Sequence, residues 1–104
     1  MIVSGVHTDS SYEAASLLSG YYLKGLMEKK DGNLDGSKWA FQKALGYAKS
    51  KDRVSKGYMA LCYNEMGKIA YEEGKRAIAK RYFKLALDNC AFRKVKNDAK
   101  VVGL

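Results

Sequence analysis

The chain reads as all-α: two antiparallel helical hairpins and a C-terminal capping helix, stacked as a short α-solenoid. Three observations predict this. Apolar residues recur at steps of three and four through most of the chain. No proline occurs among the 104 residues, so nothing breaks a helix interior. The stretch from Tyr21 to Leu45 also returns at Tyr63 to Leu87 with a constant offset of 42: Gly25 falls on Gly67, Gly32 on Gly74, Phe41 on Phe83, Ala44 on Ala86 and Leu45 on Leu87. An ordinary helical bundle explains the periodicity but not the constant offset.

Residues 1–9 are expected to be an irregular N-terminal segment. The first hairpin occupies 10–51, with helices at 10–30 and 34–49. Ser10 or Ser11 is the expected N-cap, with Glu13 in the first turn. Leu17, Leu18, Tyr21 and Gly25 share one face, and Asp31-Gly32-Asn33 supplies a glycine stop. Phe41, Ala44, Leu45 and Ala48 form the apolar face of the second helix. Ser50-Lys51-Asp52 is a polar connection. The second hairpin, 52–91, repeats the plan with helices at 53–73 and 75–90. Met59, Cys62, Tyr63, Met66, Gly67 and Ala70 face one way, Glu73-Gly74-Lys75 forms the turn, and Ile78, Tyr82, Phe83 and Ala86 follow. Small residues at Gly25, Ala40, Ala44, Gly67, Ala79 and Ala86 let helices approach closely. In 92–104 a last helix, about 92–102, carries Phe92, Val95, Ala99 and Val102 on one face and Lys, Arg, Asn and Asp elsewhere, as a cap requires.

These residues resemble the tetratricopeptide repeat. Gly67, Gly74, Ala79, Phe83 and Ala86 match five key positions in the second copy. Gly25, Gly32, Phe41 and Ala44 match in the first, where Ser37 replaces the usual alanine. Tyr21 and Tyr63 stand where the family carries tryptophan, and the closing proline is missing from both copies. The period of 42 exceeds the usual 34. It resembles the longer-helix variant of kinesin light chains and bacterial peptide-sensing regulators, in which the extra residues would lengthen the second helix of one hairpin and the first of the next. The resemblance implies a right-handed superhelix whose first helices line a concave groove for a partner peptide or protein. Carried over position by position, it implies Tyr22, Leu26, Lys29 and Lys30 on the first hairpin and Asn64, Lys68, Tyr71 and Glu72 on the second. The pattern that clamps chaperone-tail carboxylates is absent, because Tyr22, Leu26 and Glu65 occupy its places.

The net charge is +8. From Lys75 to Lys100, nine Lys/Arg face only Asp88 and Asp98. Arg76, Lys80 and Lys84 form a row at steps of four, with Arg81 beside it. Such a patch draws acidic partners, but no aromatic interleaves it for base stacking, so nucleic acid ranks last among the partners. Because two repeats are fewer than the usual minimum of about three, self-assembly, with a second copy as the missing neighbour, is the alternative to a peptide-binding adaptor.

Nothing points to an enzyme or a cofactor. His7 is the one histidine, and it has no matched partner for catalysis or for a metal. No glycine-rich phosphate loop and no paired carboxylates are evident. Cys62 and Cys90 sit within apolar helical patterns without metal-ligand spacing, which predicts reduced, buried thiols of a cytoplasmic protein over a disulfide. Met1 to Ser10 lack the features of a signal peptide, and no apolar run is long enough to span a membrane.

Overall fold

The computed structural model describes residues 10–48 and 52–104, with side chains from residue 13 onward in the first helix. The described residues form helices α1 (Ser10–Lys30), α2 (Leu34–Leu45), α3 (Arg53–Glu72), α4 (Arg76–Asn89) and α5 (Arg93–Ala99), with a 3-10 turn over Lys100–Val102, and contain no strand. None of these helices is long and apolar enough to cross a membrane. His7, Ser50 and Lys51 lie outside the described residues, and Ser10 and Ser11, expected to cap α1, fall inside it.

Two structurally alike hairpins account for the internal repeat. α1 pairs with α2 and α3 with α4, and α3 also touches α1, α2 and α5. Each first helix ends in the same way. Gly32 and Gly74 adopt φ of +84° and +80°, a left-handed conformation that glycine takes without the Cβ penalty. The amide of Gly32 donates to Lys29 O and that of Asn33 to Glu28 O, while Gly74 and Lys75 donate to Tyr71 O and Ala70 O. These bonds satisfy carbonyls that a helix end leaves unpaired. Asn33 then caps α2 by accepting from the Gly36 amide, and Asp52 caps α3 by accepting from the Val54 amide.

Inside each hairpin a glycine meets a phenylalanine ring. A Cβ on Gly25 would stand 2.5 Å from the Phe41 ring, and one on Gly67 would stand 3.0 Å from the Phe83 ring. Both rings are fully buried. Ser37, which takes the place of an alanine, is also buried, and its hydroxyl donates to Gly25 O at 2.8 Å. That bond satisfies the polar atom in the interior. Leu18, Phe41, Ala44, Cys62, Met66 and Ile69 form the core where the hairpins meet. A second cluster, Ala70, Ala79, Phe83, Ala99 and Val102, seats the C-terminal segment on the second hairpin.

The structure departs from expectation in one helix bound and in the exposure of two side chains. α2 stops at Leu45, not 49, because Gly46 loosens the ladder. Its amide is shared between Gln42 O and Lys43 O, and the next amides bond only three residues back. The long spacing between repeats therefore does not lengthen the second helix; it lies in first helices of 21 and 20 residues against second helices of 12 and 14. Leu17, assigned to the core face of α1, is 40% exposed. Phe92 caps less than its sequence position suggests: Val95 is fully buried, but Phe92 stays 39% exposed while its ring covers Gly57.

Candidate functional site

The face expected to form the groove carries polar groups of α1, α3 and α5 that are already engaged with one another. Glu65 on α3 is only 4% exposed. Lys29 Nζ of α1 lies 3.0 Å from its carboxylate, Lys68 Nζ 3.6 Å and Lys94 Nζ of α5 3.9 Å. A buried carboxylate is costly unless paired and hydrogen-bonded, and these three cations supply the pairing. Asp98 of α5 accepts from Asn64 Nδ2 at 2.8 Å and stands 3.8 Å from Lys68 and 3.6 Å from Lys94. Burial works against the charge on Lys68, yet Glu65 and Asp98 outweigh it and hold its pKa above the ordinary lysine value.

This network corrects several sequence assignments. Asn64, placed on an open groove, is fully buried beneath α5, and its Oδ1 has no hydrogen-bond partner. The reason is that α5 lies against α3 on this side and brings Asp98 onto the amide. Tyr22 and Leu26 are half-buried and pack onto the core between the hairpins. The Tyr22 ring meets Tyr58 edge-on at 5.8 Å, and its hydroxyl pKa is pushed up to about 12, by burial first and by Glu65 second. Lys29 and Lys68 belong to the ion network. Of the eight residues expected on the groove face, Tyr71, 41% exposed, and Lys30 and Glu72 at the helix ends are open to solvent.

The basic row on α4 is exposed. Arg76 donates to Val101 O at 3.2 Å and so helps hold the C-terminal turn, while Lys80, Arg81 and Lys84 face outward. Both cysteines are free; Cys62 is buried and Cys90 half-buried. Burial, followed by Glu65, pushes the Cys62 thiol up to about 12. It therefore stays protonated near neutral pH and is no nucleophile.

One surface went unnoticed in the sequence. On α1 the side turned away from the core exposes Gly20, Leu23 and Met27, with Leu23 56% and Met27 67% exposed. The offset of 42 places these three on Cys62, Glu65 and Ile69 of α3, all of which are buried. The same helix face is thus covered in the second hairpin and open in the first. The signal was present: α1 carries apolar residues on two faces, and one hairpin partner can cover only one of them. In comparison with known proteins, the chain matches no family model, no curated protein and no solved structure.

Proposed function

We propose that the chain is a non-enzymatic protein-interaction module, built from two tetratricopeptide-type hairpins and docking a partner protein on the open side of α1. One observation carries this: Leu23 and Met27 are exposed where their repeat counterparts, Glu65 and Ile69, are buried by a neighbouring hairpin. A helix face made to be covered and left open is a docking surface of known geometry. The inner face supports peptide binding less well, because Asn64, Glu65, Lys68 and Asp98 already satisfy one another and a peptide would have to break those pairs. The α4 row has exposed cations but no pocket or aromatic to set specificity. The two free thiols suit a reducing, cytoplasmic compartment.

The test is site-specific photo-crosslinking in the producing cell, with a photoreactive residue at Leu23, Tyr71 or Lys84 in turn. Protein adducts from Leu23, with few from the other two sites, are the expected result. Adducts from Tyr71 alone would move the site to the inner face. Adducts from Lys84 alone would favour an acidic partner on α4.

A further inference from the structure

We infer that the open side of α1 pairs with the same helix of a second copy, antiparallel and about a two-fold axis. This rests on the reading of that face as a docking surface. Glu13, Ser16, Gly20, Leu23, Met27 and Lys30 are all exposed, and they are spaced three, four, three, four and three residues apart. That alternation is the spacing of a two-helix coiled-coil seam, where residues at a mean step of 3.5 stay facing a partner helix.

The seam is complementary to itself in one direction only. Run antiparallel about a point between Tyr21 and Tyr22, Glu13 meets the partner's Lys30, Ser16 meets the partner's Met27 and Gly20 meets the partner's Leu23. Opposite charges pair at both ends, and each large side chain faces a small one. Run parallel, Glu13 meets a second Glu13, Lys30 a second Lys30, and Met27 a second Met27. A shallow depression lined by Gly20, Ser16, Leu17, Tyr21 and Lys24 lies where the partner's Leu23 would fall. An added Cβ at Gly20 would find nothing within 4 Å, so the space is open.

Head-to-tail stacking is disfavoured by α5. The residues that would present the second hairpin to a following hairpin, Asn64 and Lys68, are engaged with Asp98. The C-terminal segment exposes Arg93, Lys96 and Lys100 among Phe92, Val101 and Leu104. Docking Leu23 and Met27 there would bury unpaired positive charge, which is costly. The α1 seam of a second copy is the surface that matches both the end charges and the large and small positions of this one. A single helix pair falls below the standard interface of about 1,200–2,000 Å², so the pairing is expected to depend on concentration.

The experiment uses the purified full chain. Sedimentation equilibrium from about 1 µM to about 1 mM should show the mass rising from 11.6 kDa toward twice that value. Leu23→Glu and Met27→Lys should stay monomeric across the range, with unchanged circular dichroism and melting because both side chains are largely exposed. Glu13→Lys should weaken pairing by about 5- to 10-fold, and Glu13→Lys combined with Lys30→Glu should restore it. On a Cys90→Ser background, oxidation of mixed Ser16→Cys and Met27→Cys chains should cross-link one to the other, with little product from either alone. A wild-type chain monomeric throughout overturns the inference, as does cross-linking of Ser16→Cys to itself or a photo-adduct from Leu23 to residues 1–9 of the same chain. A monomer whose Leu23 still forms adducts with another protein in cells overturns self-pairing and leaves the interaction module standing. A monomer without such adducts removes both.

Discussion

Gly25→Ala tests the central packing of the fold by setting a gain against a clash. Alanine in a helix interior is favoured over glycine by about 0.8–1.0 kcal/mol. At Gly25 the new methyl would stand 2.5, 2.7 and 2.8 Å from three atoms of the Phe41 ring. Phe41 has no exposed surface and cannot swing into solvent. Overpacking costs about 1–3 kcal/mol, and contacts this short on a ring that cannot move put it at about 2–3 kcal/mol, so a net loss of about 1–2 kcal/mol follows, with a melting temperature lower by about 4 °C or more. Two matched substitutions isolate the terms. Gly67→Ala meets the Phe83 ring at 3.0–3.1 Å, where small shifts suffice, and should fall within about 0.5 kcal/mol of wild type. Gly20→Ala meets nothing within 4 Å and should stabilise by about 0.5–1 kcal/mol. Urea unfolding followed by circular dichroism, at concentrations too low for self-association, gives all three values. If Gly25→Ala proves as stable as Gly67→Ala, the glycine–phenylalanine contact does not set the distance between α1 and α2, and the packing argument fails.

Asn64→Ala should cost about 1–2 kcal/mol in urea unfolding, since it removes the buried donor to Asp98 and leaves a void under α5. A neutral result would mean that α5 does not rest on Asn64. Ending the chain at Asn89 strips Val95, Ala99 and Val102 from Ala70, Ala79 and Phe83; a broad, non-cooperative melt or aggregation is expected, and a sharp melt at the wild-type temperature would contradict it. Lys38 lies 2.7 Å from Glu73 and holds its carboxyl below the ordinary value of 4.5. The pair therefore contributes fully above that pH, and its contribution is lost as the pH falls through the lowered folded value. Lys38→Met should flatten the acid limb of the stability–pH curve below pH 4.5; an unchanged limb would show that the pair adds nothing.

Helix starts and stops were legible because single residues govern them. Gly32 and Gly74 each mark a left-handed stop, and Phe41 and Phe83 opposite Gly25 and Gly67 mark where two helices touch. The end of α2 was less legible, because Gly46 is an ordinary helical residue by φ (−65°) and only the shift to three-residue hydrogen bonds ends the helix there. The inner-face assignments failed for a different reason. Periodicity says which residues share a face but not what covers it. Asn64 and Lys68 do share a face with Tyr71, but the covering element is a seven-residue helix contributed from 29 positions further along, counting from Asn64 to Arg93. The open side of α1 escaped for the complementary reason: periodicity does not say that Leu23 and Met27, unlike their repeat counterparts Glu65 and Ile69, are exposed.

Cys62 has a kinetic consequence. Its sulfur is sealed where the two hairpins meet, among Leu18, Phe41 and Met66, whereas Cys90 is half-buried at the end of α4. A thiol reagent reaches Cys90 directly, but it reaches Cys62 only when α1 and α3 part. The slow phase of labelling in the unmodified protein therefore clocks the separation of one hairpin from the other. If that phase runs faster than global unfolding, the two repeats come apart as separate cooperative units; if the two rates agree, 104 residues behave as a single one.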